Sequence, residues 1–240
     1  METSTVEMAV AQRLKQIRQR MDAACVRSGR DPAAVELIAV SKKKSASMID
    51  AAARAGQRLF GESYVQEFCE KQAEVYAQVG WHFVGALQSN KVKYLRGKVE
   101  MIHGVDRFSL AQELNKQWRK LDASIAVLLQ VNLAGEQSKG GVAPDKVHQL
   151  AEQITTLPHV RLQGLMTLPP FAADPEEVRP WFRHLRELAE RLDALHLPGV
   201  SMRTLSMGMS HDFEVAIEEG ATLVRVGTAI FGAREADNGG

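Results

Sequence analysis

The stretch ELIAVSKKKSASMIDAAARAGQRLFG, residues 36–61, decides the fold of this chain. Its first run, Glu36–Ser41, and its last, Gln57–Gly61, are short and β-like, whereas Ala46–Ala55 between them is helical in pattern. A strand, a helix and a strand in this order predict two parallel strands joined by a helical crossover.

The same alternation continues along the chain. Six more β-like runs follow, at Trp81–Gly85, Met101–Gly104, Ile125–Asn132, Val160–Met166, Arg203–Met207 and Leu223–Gly227. Helical segments separate them, at Tyr64–Val79, Asn90–Arg96, Leu110–Leu121, Asp145–Thr156, Glu176–Leu195 and His211–Glu219. Eight β/α units in 240 residues favour an α/β fold of the closed (β/α)8 (TIM) barrel type, and we predict one domain over residues 1–240.

An extra helix is expected before the barrel. Over residues 5–28, apolar side chains recur at spacings of three and four, which predicts an amphipathic helix. Its apolar stripe consists of Val6, Val10, Leu14, Ile17, Met21 and Cys25.

Composition and charge argue against several kinds of partner. The formal charge is +1, without the basic stripe that a nucleic-acid-binding surface needs. The longest apolar stretch, near IAVLLQV, is too short to span a bilayer. Cys25 and Cys69 have no metal-type spacing and are expected to be reduced. We expect a cytoplasmic protein with no nucleic-acid and no membrane partner.

The carboxyl ends of the predicted strands carry the candidate functional residues, as (β/α)8 barrels require. The first strand runs into Lys42-Lys43-Lys44, and strand alternation would direct Lys42 and Lys44 to one face. Repulsion within this run should lower one lysine pKa, and a lysine with more free amine can form an imine with an aldehyde. A solvated basic loop is the alternative interpretation.

The last two strand ends predict an anion cradle. Residues 206–210, Ser-Met-Gly-Met-Ser, combine a flexible glycine, two hydroxyls and backbone N–H groups just before a helix. Gly227 and Thr228, after the eighth strand, supply the second half of the cradle. Taken alone, such a turn can also be a simple helix cap.

Arg225 is unusual because it should point into the barrel. It shares a face with Leu223 and Gly227, whereas Val224 and Val226 should meet the outer helices. An inward arginine needs either a carboxylate or an acceptor atom of a ligand. If that acceptor is the pyridine nitrogen of pyridoxal 5′-phosphate (PLP), the permanent charge disfavours protonating the ring, which suits holding the cofactor more than aminotransferase-type catalysis.

The histidines do not predict a metal site. His82, His103 and His211 have no metal-type spacing, and each is expected to be a hydrogen-bonded structural residue.

Five strings, in order across nearly the whole chain, resemble the pyridoxal phosphate homeostasis proteins, the YggS/PROSC family. They are AVSKKKS (39–45), FGESYVQE (60–67), WHFVGALQSNK (81–91), LQGLMTL (162–168) and LSMGMSHDFEVAIEEGATLVRVGTAIFGAR (205–234). The last string is long and specific.

The resemblance implies a barrel like the N-terminal domain of bacterial alanine racemase, in which Lys42 carries PLP as an internal aldimine. It implies that Arg225 meets the pyridine nitrogen, and that the phosphate site consists of Met209, Ser210, Gly227 and Thr228. The resemblance implies a monomeric cytosolic protein without established enzymatic activity. The implied function is to buffer or deliver PLP in vitamin B6 homeostasis. The implied partners are PLP and apo forms of PLP-dependent enzymes.

Several positions qualify the resemblance. This chain has Ser63 where the family usually has Asn. It has Ala86 where the family usually has Pro, and Lys43 where the family usually has Thr. Ser63, although still expected at the cofactor, carries one donor fewer than Asn, and a water can fill the gap. Lys139, in EQSKGG, is a candidate second PLP site, with an exposed loop lysine as the alternative.

Two enzymatic hypotheses stay open beside the carrier hypothesis. A PLP-dependent amino acid racemase would use Lys42 as one base and needs a second base on the opposite face of the substrate. A Schiff-base aldolase of the same barrel class is the other, although no acid and base pair stands out for it.

Overall fold

The computed structural model describes residues 2–136 and 140–232. Eight parallel strands close into a barrel in their sequence order, and the last strand pairs with the first. The predicted (β/α)8 barrel with an extra N-terminal helix is therefore confirmed.

The barrel strands are β1 Glu36–Val40, β2 Leu59–Glu62, β3 Gly80–Phe83, β4 Met101–Val105, β5 Ile125–Val131, β6 Val160–Thr167, β7 Val200–Ser206 and β8 Leu223–Val226. The helices are α1 Glu2–Arg27, α2 Ala46–Arg54, α3 Val65–Glu74, α4 Phe108–Arg119, α5 Val147–Ile154, α6 Arg179–Asp193, α7 Phe213–Glu218 and α8 Thr228–Phe231. Short 3₁₀ helices lie at Pro32–Ala34, Ser89–Tyr94, Pro144–Lys146 and Pro175–Val178.

Strand alternation divides the apolar side chains into two layers. A small cluster fills the barrel interior and consists of Ile38, Met101, Ala126, Leu128, Met166 and Leu223. A larger cluster lies between the strands and the helices, and it includes Val224 and Val226. The predicted alternation along β8 is therefore confirmed, and it directs Arg225 inward beside Leu223.

Helix α1 covers the barrel beside the short helix α8. It contacts α2, α7 and α8, and Arg20 pairs with Glu214 of α7 at 2.9 Å. The predicted stripe from Val10 to Cys25 is buried, but Val6 is 43% exposed, so the stripe starts one turn later than predicted.

The predicted helices differ from the structure by up to three residues at their ends, and two of them differ more. The segment predicted as a helix at Asn90–Arg96 is the 3₁₀ helix Ser89–Tyr94, which Gly97 follows at a φ of 71°. Helix α3 ends at Glu74 rather than Val79, and the chain is extended at Val75. None of the helices in the described ranges has the length and hydropathy that a membrane-spanning segment requires.

Candidate functional site

A cavity of about 590 Å³ opens where the carboxyl ends of the strands meet. Its wall is built by the segments after β1, β2, β3, β5, β6, β7 and β8 and by residues of β1, β5 and β8. All of the predicted binding residues line it: Lys42, Ser63, Met209, Ser210, Arg225, Gly227 and Thr228.

The triple lysine forms a turn rather than a continuation of β1. The N–H of Lys44 donates to the carbonyl of Ser41 at 3.0 Å, and Lys43 adopts a left-handed φ of 58°. Lys42 and Lys44 are half-buried and line the cavity, whereas Lys43 is exposed. The two lysines thus share one side, as predicted, because of the turn and not because of strand pleating.

The turns after β7 and β8 meet at Ser210. Its Oγ accepts the N–H groups of Gly227 and Ala229, both at 3.3 Å, and lies 3.2 Å from Thr228 Oγ. A Cβ at Gly227 would lie 3.0 Å from the carbonyl oxygen of Val40, so the small residue permits this close approach. The two predicted halves of the anion cradle are therefore adjacent.

Met209 differs from the prediction in one respect. Its backbone N–H donates to Asp212 Oδ1 at 2.6 Å, and α7 begins at Phe213 instead of His211. Burial raises the pKa of Asp212, while the N–H of Met209 and the charge of Arg225 act in the opposite direction. The Met209 N–H is therefore engaged and is not open to an anion in this arrangement.

Arg225 lies at the deep end of the cavity and is 4% exposed. Its guanidinium donates to Ser206 Oγ at 2.5 Å and to the carbonyl of Thr167 at 2.9 Å. Burial lowers the pKa of Arg225 to about 10, so the side chain stays charged at neutral pH. Instead of pairing directly with a carboxylate within the described residues, it is held by neutral oxygens.

A buried hydrogen-bonded chain continues from Arg225 across the barrel. His103 Nδ1 lies 2.8 Å from Ser206 Oγ, and His103 Nε2 lies 2.9 Å from His82 Nδ1. Since Arg225 only donates, the Ser206 hydroxyl is placed to donate to His103, which then donates to His82. Burial lowers the pKa of both rings, that of His82 to about 4, so both histidines are neutral at pH 7.

The expectation of structural histidines agrees with these contacts. His211, at the cavity wall, bonds through Nε2 to the carbonyl of Ala173 at 3.0 Å. Over residues 2–136 and 140–232, no three His, Cys, Asp or Glu side chains are grouped as a metal site.

Other residues of the cavity wall were missed by sequence reasoning. Gln130 is one, and its Nε2 donates to the carbonyl of Gly140 at 2.7 Å. Its inward position follows from the alternation of β5, in which Leu128 also faces the interior, so the sequence held a usable signal. Tyr64 and Leu168, which also line the cavity, had no comparable signal. Lys139, the candidate second site, lies outside the described residues.

A cluster of buried charges behind the lysine turn was also missed. Lys71 Nζ contacts Glu62 Oε1 at 2.8 Å and Glu67 Oε1 at 2.6 Å. The same ammonium donates to the carbonyl of Ser41 at 2.6 Å. These residues come from the end of β1, the end of β2 and α3, so no single sequence segment contains the cluster.

Comparison with known proteins defines the class first. The family model of the alanine racemase N-terminal domain matches residues 9–235, so this is a barrel of the alanine racemase N-terminal type. The relatives then narrow the class. A pyridoxal phosphate homeostasis protein of Aquifex aeolicus is 46% identical over 229 residues, which cover 95% of this chain and 100% of the relative. The pyridoxal phosphate homeostasis protein of Pseudomonas aeruginosa is 44% identical, with coverages of 94% and 96%. The chain belongs to the family of pyridoxal phosphate homeostasis proteins.

A solved structure agrees in fold. PipY of Synechococcus elongatus, solved with PLP bound, superposes with a TM-score of 0.82 at 37% identity. The superposition covers 93% of this chain and 100% of PipY.

Proposed function

We propose that this protein binds PLP through Lys42 and serves intracellular PLP homeostasis by holding and delivering the cofactor. The observation that carries the proposal is that a half-buried lysine, a buried arginine and two hydroxyl-bearing turns line one cavity. Its volume, about 590 Å³, falls within the range of about 300–1,000 Å³ that is usual for small-molecule sites. Relatives named as pyridoxal phosphate homeostasis proteins and a relative solved with PLP support it further.

The donor set of the cradle fits a phosphate group. The hydroxyls of Ser210 and Thr228 and the N–H groups of Gly227 and Ala229 lie together, and phosphate oxygens accept from such groups. A bound phosphate would accept the hydrogen bonds that Gly227, Thr228 and Ala229 now donate to Ser210 Oγ. We propose the cofactor-binding residues to be Lys42, Ser63, Met209, Ser210, Arg225, Gly227 and Thr228, with Met209 contributing through atoms other than its N–H.

Arg225 favours a holding function over aminotransferase-type catalysis. When bound, PLP supplies an aldehyde that condenses with a primary amine to an imine and water, and a pyridine ring that can act as an electron sink. The ring is a strong sink only when its nitrogen is protonated. A buried guanidinium that stays charged at pH 7 opposes that protonation. The racemase and aldolase alternatives draw no support from the relatives' names.

Delivery to apo-enzymes is supported by the rim of the cavity. Tyr64 lines it and is 54% exposed, and Phe171, 83% exposed, packs 5.5 Å from the His211 ring. Exposed apolar side chains beside a binding cavity suit contact with another protein. A PLP-loaded protein that restores no activity to any apo-enzyme would contradict delivery.

The cytoplasmic location, the monomeric state and the single domain over residues 1–240 stay predictions.

Covalent trapping tests the proposal at Lys42. Purified protein incubated with PLP is expected to show the absorption of a PLP imine, and borohydride reduction should leave a stable adduct that peptide mapping assigns to Lys42. The Lys42→Ala variant should lose the adduct and keep its circular dichroism, because a half-buried lysine in a turn contributes little packing. Lys44→Ala, which alters the same cavity, is the matched control and should keep the adduct. An adduct that persists in Lys42→Ala, or is absent from the wild type, would overturn the proposal.

A further inference from the structure

Directly behind the Lys42–Lys44 turn lies a buried charge cluster, formed by Lys71, Glu62, Glu67 and Ser41, which we call the Lys71 cluster. Lys71 belongs to α3 and is 5% exposed. Each of its three ammonium hydrogens has an acceptor: the Ser41 carbonyl, Glu62 Oε1 and Glu67 Oε1, at 2.6, 2.8 and 2.6 Å. The ammonium is therefore saturated and fixed in one position.

The cluster holds the chain on both sides of Lys42. On the preceding side, Ser41 accepts from Lys71 through its carbonyl and donates through Oγ to Glu62 Oε1 at 2.7 Å. On the following side, the backbone N–H of Lys43 donates to Glu67 Oε1. Lys43 has a left-handed φ of 58°, which non-glycine residues seldom adopt without such support. The backbone that carries Lys42 is thus clamped at both of its neighbours.

Stability alone does not explain such a cluster. Glu62 is fully buried, and its second oxygen, Oε2, has no hydrogen-bond partner within the described chain. Burying the Glu62 carboxylate and the Lys71 ammonium is costly, and apolar side chains of similar volume often stabilise a core equally well. A buried polar group that is kept at such a cost calls for another explanation, and the turn that it holds supplies one.

We propose that Lys71 is a positioning residue that locks the Lys42–Lys44 turn, so that the Lys42 amine faces the cavity ready for covalent attachment of the cofactor aldehyde. This inference rests on the proposed function, in which Lys42 is the attachment site. In that step the neutral amine nitrogen of Lys42 forms a double bond to the aldehyde carbon, and the aldehyde oxygen leaves as water with the two hydrogens of the amine. The Lys71 cluster takes no part in bond making. It orders the turn before the cofactor arrives, so that attachment costs less conformational entropy.

The test separates attachment from binding. In Lys71→Met, the rate at which the imine absorption appears after mixing with PLP should fall about ten-fold. This factor corresponds to the free energy of ordering about one backbone residue. Non-covalent affinity, measured for PLP in the Lys42→Ala background with and without Lys71→Met, should change less than two-fold. Of the proposed non-covalent binding residues only Ser63 adjoins the cluster, whereas Arg225 and the cradle belong to β8 and to the turns after β7 and β8. Lys116→Met, which removes an exposed lysine that pairs with Glu113 at 3.7 Å, is the control and should attach at the wild-type rate.

Two further variants keep the proposal open to disproof. Lys71→Arg keeps a cation with donors and should recover part of the lost rate. Glu67→Met, which removes the acceptor of the Lys43 N–H at a less buried side chain, should also slow attachment, and it serves as the test if Lys71→Met does not fold. Wild-type attachment rates in folded Lys71→Met or in Glu67→Met would overturn the positioning role. A parallel loss of rate and non-covalent affinity would overturn it too, because it would indicate a collapsed cavity. If the wild type forms no adduct on Lys42, the proposed function itself fails.

Discussion

Gly208 gives the cradle its shape at the end of β7. Its φ is +90°, and a Cβ there would lie 2.6 Å from Ala216 Cβ and 2.9 Å from Phe213 Cα. Its carbonyl accepts the N–H of Arg225 at 3.0 Å, so the same residue also aligns β8 with the turn. Both the backbone conformation and the close approach to α7 therefore require glycine.

We expect Gly208→Ala to lower the free energy of unfolding by about 2–4 kcal/mol, because it combines an unfavourable φ with overpacking. Urea denaturation measures this change. Gly199→Ala is the matched control: its φ is +72°, but a Cβ there meets no atom within 4 Å. The control should cost only the conformational part, about 1 kcal/mol. Equal losses in the two variants would mean that the contact with α7 carries no energy.

At the scale of single residues, the sequence predicted the lining of the cavity better than its support. Lys42 and Arg225 could be placed because strand ends and strand alternation are local patterns. Lys71 could not, because a lysine in an amphipathic helix normally faces water. Its burial depends on Glu62 and on the Ser41 carbonyl, which reach it only after β1 and β2 have paired.

At the scale of elements, α3 shows how a tertiary contact ends a helix. The predicted helix continued to Val79, since residues 75–79 contain no glycine or proline. In the structure, the N–H groups of Tyr76 and Ala77 donate to Asp50 Oδ1 at 3.1 and 3.0 Å. Asp50 lies in α2 and is buried, so it captures backbone donors that would otherwise continue α3. Nothing within the α3 sequence records this contact.

We expect Asp50→Ala to lower the free energy of unfolding by about 1–3 kcal/mol, because two backbone N–H groups lose their acceptor in a partly buried place. Amide hydrogen exchange should accelerate at Tyr76 and Ala77 in the same variant. Asp50→Asn keeps an acceptor oxygen at the same position and should keep most of the stability and the exchange protection. Unchanged exchange in Asp50→Ala would show that Asp50 does not end α3.

At the scale of the whole molecule, the closed barrel could be predicted because eight β/α repeats leave few alternative topologies. The polar chain inside it could not. His82 and His103 lie on β3 and β4, while Ser206 and Arg225 lie on β7 and β8, so their contacts depend on the registers of the closed barrel. Sequence reasoning could establish that Arg225 faces inward, but not which residues would receive its hydrogen bonds.

The hydrogen-bonded chain of side chains inside the barrel should make the stability of the whole protein depend on pH. The pKa of His82 is about 4 in the folded protein, against 6.5 ordinarily, because burial disfavours the charged ring. Between these two pH values the unfolded chain binds a proton that the folded chain does not, so the free energy of unfolding falls as the pH falls. For His82 alone the loss is about 3 kcal/mol, and His103, whose pKa is also lowered, acts in the same direction. Glu62 and Asp212 act in the opposite direction, because burial raises the pKa of each carboxyl.

A comparison with His82→Gln isolates the histidine contribution from those carboxyl groups. Gln still offers an oxygen to the N–H of His103, but it cannot take up a proton in this range. We expect the stability advantage of the wild type over His82→Gln to shrink by about 3 kcal/mol between pH 7 and pH 4, because only the wild type gains that protonation site on unfolding. Urea denaturation of both proteins at several pH values measures this difference. If the two stability curves run parallel, His82 titrates alike in the folded and unfolded chains, and the ring is not held neutral inside the barrel.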